Sequence, residues 1–397
     1  MIRITDRKKC CGCEACAQMC PHGAIAMRHD TEGFAYPHID PDACTDCGLC
    51  ERICPEIAFD NPNAMPTAAY AAWATDDGIR MEGSSGGMFP VLARYVLDRG
   101  GTVCAAAFDK DMTLRHTISD ERSALCAMTG SKYMQSSAGD CFLHIRQALH
   151  EGREVLFCGT PCQVAGVYNT VGRHPKLTTL DVACHGVASP KVFDTYRQWI
   201  RRTTGRSAVC TLFRDKRPNG WSDYRITHTL EDGSEYSAAP ADDPFMRGYL
   251  ANLYLRPSCH DCRFKTPRTA DLTLADFWGV AKVCPEAYDE RGVSLVLVNS
   301  RRGAELLETI AGSLAILHET DVARAMRYNP ALTRSVTPHR NRERFFREMT
   351  EETDFGKLTE CLARPSLRQA TSTALKSMIK KNTKYFGNKT LTVATFE

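Results

Sequence analysis

Eight cysteines in the first sixty residues fall into two copies of one pattern. Cys10, Cys13, Cys16 and Cys20 precede Pro21, and Cys44, Cys47, Cys50 and Cys54 precede Pro55. Each copy reads C-x2-C-x2-C-x3-C-P, the spacing at which three thiolates wrap one cubane iron-sulfur cluster while the fourth reaches across to another. This assigns Cys10, Cys13, Cys16 and Cys54 to one 4Fe-4S cluster, and Cys44, Cys47, Cys50 and Cys20 to a second. Clusters of this kind move single electrons.

Two other chemistries compete for such thiols. Disulfides need an oxidising compartment, and the opening MIRITDRKKCC carries no apolar signal stretch. Zinc takes four ligands in two knuckles, whereas each run here has a third close cysteine and a trailing Cys-Pro. Cys11 stands outside the repeat and is not expected to be a ligand.

Beyond residue 65 the chemistry-bearing residues are scattered. Gly83-Ser84-Ser85-Gly86-Gly87 precedes a helical stretch, so its amides could receive a phosphate at a helix N-terminus. Gly159-Thr160-Pro161 joins a strand to a helix, with Thr160 placed to cap and Pro161 at the first helical position. Gly130-Ser131-Lys132-Tyr133 adds a cation and a ring, a mixture suited to a pyrophosphate and a planar group.

Four further cysteines stand out by context: Cys162 at a helix start, Cys184 at a strand end, and the knuckle Cys259-His260-Asp261-Cys262. A third cubane, a zinc site and buried inert thiols all fit this set. The remaining cysteines (Cys104, Cys126, Cys141, Cys158, Cys210, Cys284 and Cys361) read as packing residues. Arg214, Lys216, Arg256 and Lys265, with Trp221 and Phe264 nearby in the chain, suit an anionic planar substrate or a flavin. Surface ion pairs would give the same pattern.

Elements must bring these residues together. The pattern predicts helices over 88–98, 140–150 and 161–171. It predicts strands over 102–108, 154–158, 177–183, 271–277 and 293–299, with a strand-like stretch over 209–239 that turns at Gly233. That alternation favours a mixed α/β (α+β) fold in which a larger mixed-sheet domain follows a small two-cluster module. Apolar Ala24-Ile25-Ala26 and Ile57-Ala58-Phe59, one after each cysteine run, are expected to pair as strands. Turn formers from Asn61 to Pro66 mark a linker, giving domains 1–62 and 68–335 and a basic, mainly helical tail over 340–397.

With 397 residues, 43% of them hydrophobic, the chain can bury a large core, and no apolar stretch approaches eighteen residues. Twenty cysteines without an export signal point to a reducing cytoplasm. The first sixty residues hold six basic and ten acidic side chains, whereas the last fifty-eight hold twelve and seven. An acidic electron-transfer face and a basic tail, lysine-rich from Lys376 to Lys389, follow from that asymmetry. No nucleic-acid recognition motif accompanies the tail, so nucleic acid is not an expected partner.

Taken in order, these strings resemble the coenzyme F420 hydrogenase/dehydrogenase beta-subunit family, flavoproteins that also include a plant chlorophyll-cycle reductase. The matching residues are Ser84 to Gly87, Gly130 to Tyr133, Gly159 to Gln163, Cys184 to Val187, Phe213 to Lys216, Cys259 with Cys262, and Asp276 to Gly279. Many members carry a ferredoxin module in front, and the N-terminal cysteine repeat matches it. The resemblance implies a bound FAD, with contacts placed on Ser85, Gly86, Gly87, Ser131, Lys132, Tyr133, Gly159 and Thr160. It also implies a cluster on Cys162, Cys184, Cys259 and Cys262, and substrate contacts on Arg214, Lys216, Trp221, Arg256 and Lys265. One departure is Ala275 where the family pattern has glycine.

The activity so implied is that of an iron-sulfur flavin-dependent oxidoreductase. Clusters pass one electron and a hydride carries two, so a flavin must stand between them. Electrons would pass between ferredoxin or another redox protein, the clusters, FAD, and a substrate such as coenzyme F420 or another conjugated acceptor. The alternative is a non-catalytic electron-transfer subunit of a larger redox complex; a homo-oligomer is equally open.

Overall fold

The computed structural model describes residues 2–4, 6–61, 63 and 65–363, so the lysine-rich segment lies outside the described residues. In the N-terminal module, β1 (Ile25–His29) and β2 (Ala35–Ile39) pair antiparallel, with Ile25 opposite Ile39. Each cysteine run winds into a one-turn helix, Ala15–Gln18 or Leu49–Arg52, through a left-handed residue: Glu14 at φ 66° and Gly48 at φ 71°. Ile2 and Ile25 close a small core around Cys16 and Cys54. The expected pairing of 57–59 does not form. After Cys54-Pro55 the chain turns tightly, Ile57 and Ala58 both donating to the Cys54 carbonyl, and Phe59 packs on Phe264 at 5.6 Å.

The larger part is built on an eight-stranded mixed sheet. Its strands are β3 (Ala68–Ala74), β4 (Thr102–Phe108), β5 (Leu114–Ser119), β6 (Val155–Gly159) and β7 (Leu177–Val182). An antiparallel three-stranded sheet of β8 (Ala208–Asp215), β9 (Arg225–Leu230) and β10 (Glu235–Ala238) intervenes, turning at Gly233 with φ 82°. Then β11 (Leu272–Asp276), β12 (Ser294–Val298) and β13 (Ala315–Thr320) complete the large sheet. The order is β13-β3-β12-β11-β7-β6-β4-β5, parallel from β11 to β4 and antiparallel outside.

Helices cover both faces, so central strands are apolar on both sides. Val91, Leu92 and Val96 of helix Met88–Asp98 pack on Val103, Leu156 and Leu180. Helices Cys141–His150 and Pro161–Val171 cover the other face, setting Phe142, Ile145 and Val164 against Cys104, Val155 and Phe157. Beyond residue 340, helices Arg342–Glu348 and Phe355–Leu362 pack Phe345 and Phe355 into the core beside Tyr254. Burying one such ring contributes about 2 kcal/mol, so this part is not a solvated tail. Among the described residues, no helix is long and apolar enough to cross a membrane.

Candidate functional site: three thiol cages and a cavity

Cys10, Cys13, Cys16 and Cys54 line one small cavity with Ile2, Ile4 and Cys11, and Cys20, Cys44, Cys47 and Cys50 line another with Ile25 and Ile39. The fourth cysteine of each run therefore sits with the other run's three. Left-handed Gly12 and Glu14 bend the first loop, Asp46 and Gly48 the second. The two cages adjoin and differ in exposure. Burial, then neighbouring Cys10, Cys54 and Cys50, pushes the Cys16 thiol up to about 12, whereas Cys47 of the second cage is exposed. Thiols so crowded would ionise together only around a cationic centre.

A third group forms inside the main domain. Cys162 is the second residue of helix Pro161–Val171, Cys184 follows β7, and Cys259 and Cys262 lie in and after the turn Pro257–Asp261. Burial and then Cys162 push Cys262 up to about 12, with Cys184 adding to it, while burial and then Cys184 push Cys259 higher. Gly186 admits Cys259, whose Cβ would lie 3.2 Å from an added side-chain carbon. Lys265 donates from Nζ to the Cys184 carbonyl. Among the described residues, no three His, Cys, Asp or Glu groups converge on a single-ion position.

Cys11, set aside on spacing, occupies the gap between cages. Its buried thiol packs in one cluster with Cys13 and Cys162, and the neighbouring Cys13 together with burial raises its pKa. Helix Pro161–Val171 comes this close because Gly166 has no side chain; a Cβ there would lie 3.2 Å from Cys13 Cβ and 3.3 Å from its sulfur. The module is also latched electrostatically. Glu14 accepts from the Ser137 hydroxyl at 3.0 Å and from the amides of Ala138 and Gly139 at 3.0 and 2.9 Å. Gln18 accepts from the Phe142 amide at 2.9 Å, and Asn63 donates to the Arg268 carbonyl at 2.9 Å.

A cavity of about 520 Å³ opens at the carboxyl ends of β6, β7 and β11, where parallel sheets bind ligands. Ser85, Gly87, Ser131, Lys132, Tyr133, Gly159 and Thr160 line it, and so does Cys184 of the inner group. Gly86 does not. A Cβ on it would lie 2.2 Å from the Ala72 carbonyl oxygen, so this glycine serves packing against β3 rather than a ligand. Lys132 lines the wall but spends its ammonium on the carbonyls of Met128, Thr129 and Gly130 at 2.9–3.1 Å.

Of the five expected substrate contacts, Arg214 alone lines this cavity. Its guanidinium lies 3.6 Å from the Tyr224 ring centre and 4.8 Å from that of Trp278, and it pairs with Asp276 at 2.9 Å. Lys216 is buried, donating to the carbonyls of Arg80, Ser85 and Arg291 at 2.6–2.9 Å, and so braces the Ser85 loop. Trp221 is buried behind Trp278, stacked at 5.2 Å, and donates to Asp276 at 2.7 Å. Lys265 serves the inner cysteines, and Arg256 reaches the N-terminal module. All four are cations or rings consumed by internal acceptors.

The structure adds residues that spacing did not mark. Cys158, read as packing, lines the cavity, and Cys126, Cys210 and Cys361 are exposed. His116 accompanies Cys158, bonded through Nδ1 to Ser136 at 3.0 Å, and burial depresses its pKa to about 4. Three lining residues, Thr129, Arg214 and Asn329, keep buried polar atoms without an internal partner: Oγ1, Nε and Nδ2. Unmet donors and acceptors at a cavity wall are what a polar ligand would satisfy.

Comparison with known proteins agrees with this layout. Residues 69–140 match the family model "Coenzyme F420 hydrogenase/dehydrogenase, beta subunit N-term", 152–321 match its C-terminal counterpart, and 9–58 match a 4Fe-4S dicluster domain. An uncharacterised ferredoxin of Methanocaldococcus jannaschii is 38% identical over 14% of this chain and 71% of its own length. One component of an ion-translocating oxidoreductase complex of Methanosarcina acetivorans is 45% identical over 13% of this chain but only 17% of its own length. A chain of the F420-reducing NiFe hydrogenase complex from Methanosarcina barkeri overlays with TM-score 0.46 at 16% identity, covering 64% of this chain and 82% of that one. That overlay is too loose to carry more.

Proposed function

The chain belongs to the coenzyme F420 hydrogenase/dehydrogenase beta-subunit family and carries a 4Fe-4S dicluster domain, and on that premise we propose an iron-sulfur flavoprotein oxidoreductase acting on a conjugated two-electron substrate such as coenzyme F420. The carrying observation is the succession of thiol cages: exposed Cys47 in the outer, Cys11 between the next and the inner, and Cys184 on the cavity wall. A succession of this kind suits relay from a ferredoxin or similar redox protein to a buried pocket.

Bound clusters supply single-electron transfer and bound FAD the exchange of single electrons for a hydride. The chain's part is to hold them. Cys162, Cys184, Cys259 and Cys262 supply four thiolates for a third cubane. Ser85, Gly87, Ser131, Tyr133, Gly159 and Thr160, with unpartnered Thr129, Arg214 and Asn329, form a wall that is small and polar where phosphates would lie. Met134, Tyr249 and Leu274 supply apolar surface for a ring. The module latched by Glu14 keeps its cages beside Cys162.

A second reading, a subunit feeding a larger complex, draws on relatives of the N-terminal module such as pyruvate synthase subunit PorD of Methanothermobacter marburgensis. Gel filtration with activity on the isolated chain separates the two. For the main proposal the test is anaerobic purification with metal, sulfide and flavin analysis. About twelve irons, twelve labile sulfides and one FAD per chain are expected, because each cubane holds four of both. Eight irons with a bound zinc would overturn the inner cluster.

A further inference from the structure

Arg256 is fully buried, yet among the described residues no carboxylate forms an ion pair with it. It stands at the head of the turn that carries Cys259, and its carbonyl accepts the Cys259 amide at 3.0 Å. Its guanidinium points the other way, into the N-terminal module. Nε donates to the Cys10 carbonyl at 2.8 Å, Nη2 to the Ala35 carbonyl at 3.0 Å and to Cys10 Sγ at 3.5 Å. Gln135 orients the fork by accepting from Nη1 at 2.8 Å, and the Tyr36 and Phe34 rings lie 4.4 and 5.4 Å away. Gly12 leaves the space, since a Cβ there would lie 2.8 Å from the guanidinium carbon.

Among the described residues, no arginine reaches a sulfur of the outer cage in this way. The hydrogen bond to one of its sulfurs comes from the neutral Ile2 amide, to Cys50 at 3.4 Å, and the nearby Arg52 donates to the Cys47 carbonyl instead. The carboxylates of Glu14 and Glu56 feel the Arg256 charge only from beyond ion-pair distance, whereas Cys10 takes a hydrogen bond from it directly; a cubane on four thiolates is an anion that becomes more negative on reduction. Hydrogen bonds and positive charge at cluster sulfurs therefore favour the reduced form.

We propose that Arg256 raises the reduction potential of the cluster on Cys10, Cys13, Cys16 and Cys54 above that of the outer cluster, biasing electrons inward toward Cys162. The inference rests on the cage reading above. Arg256 acts through Cys10 and is thus a positioning residue, one that also ties this cage to the turn bearing Cys259.

The test is an EPR-monitored redox titration of the full chain, purified anaerobically, comparing parent, Arg256→Gln, Arg256→Lys and, as a control, Arg52→Gln. The signal of interest is the one that survives both Cys47→Ser, which removes the outer cluster, and Cys259→Ser, which removes the inner one. In Arg256→Gln at parent iron content, its reduced-to-oxidised ratio at fixed potential should fall at least tenfold, a downward shift of about 59 mV for one electron. Arg256→Lys keeps the charge without the fork and should shift less; Arg52→Gln should leave this signal in place. If Arg256→Gln loses iron, Arg256→Lys and Gln135→Leu carry the same test. Full occupancy with an unmoved potential in every Arg256 and Gln135 variant overturns the inference. A parent chain with no cubane on Cys10 overturns the cage reading, and this inference with it.

Discussion

The outer and inner cages solve one problem in opposite ways. The outer is made by loops a few residues long, with exposed Cys47, and keeps its thiols together largely through local turns. The inner is drawn from a helix start, a strand end and a turn up to 100 residues apart, and its four cysteines are part-buried, with Cys184 on the cavity wall. Local assembly leaves a cage open to a partner and tolerant of change elsewhere. Assembly by the fold places the cage beside the cavity, and makes it depend on everything that positions those elements.

The largest effect that would sharpen this contrast is loss of a ligand. Cys259→Ser or Cys262→Ser should remove about four irons while the N-terminal pair persists, because the ligand sets do not overlap. Iron analysis with EPR checks this, and loss of all iron would show that the cages are not independent.

Next in size is the latch. Glu14→Ala leaves the Ala138 and Gly139 amides and the Ser137 hydroxyl without their acceptor, and should cost about 3 kcal/mol at this interface. Hydrogen exchange should rise around 135–139 and along the first cysteine run, with the sheet unaffected.

His116 gives the cavity region a pH dependence. Its pKa is depressed to about 4 by burial, below the usual 6.5, so the unfolded chain takes the proton first. The stabilisation is fully present above about pH 6.5 and is lost as pH falls toward 4, up to about 3 kcal/mol. Denaturation of parent and His116→Gln at pH 7 and 5 should show a larger drop for the parent; equal drops would remove His116 from this role.

The smallest expected effect is Gly166→Ala. The new methyl would press on Cys13 at 3.2–3.3 Å and should cost about 1 kcal/mol while nudging two cages apart. Thermal unfolding checks the cost, and a stabilised variant would mean that the contact has slack.

The same contrast explains what the sequence disclosed. Cysteines at fixed short spacing announce their cages because local geometry alone brings them together, and strand and helix periods over 88–182 placed the core. Residues 57–59 misled because an apolar triplet after Cys-Pro serves equally for docking Phe59 on Phe264. Lys216, Lys265 and Arg256 show in the chain only as cations. What they serve is decided by carbonyls and thiols brought from distant elements. Gly86 looks like a phosphate-loop glycine, and only its distance to Ala72 reveals a packing role.

Relay of electrons to flavin through the inner cage can be read in real time. Stopped-flow mixing of reduced ferredoxin with the full chain and with Cys259→Ser, both loaded with FAD, reads the flavin absorbance. Rapid bleaching is expected in the parent and little in the variant, with N-terminal cluster signals unchanged; bleaching at the parent rate in Cys259→Ser would contradict relay through the inner cage.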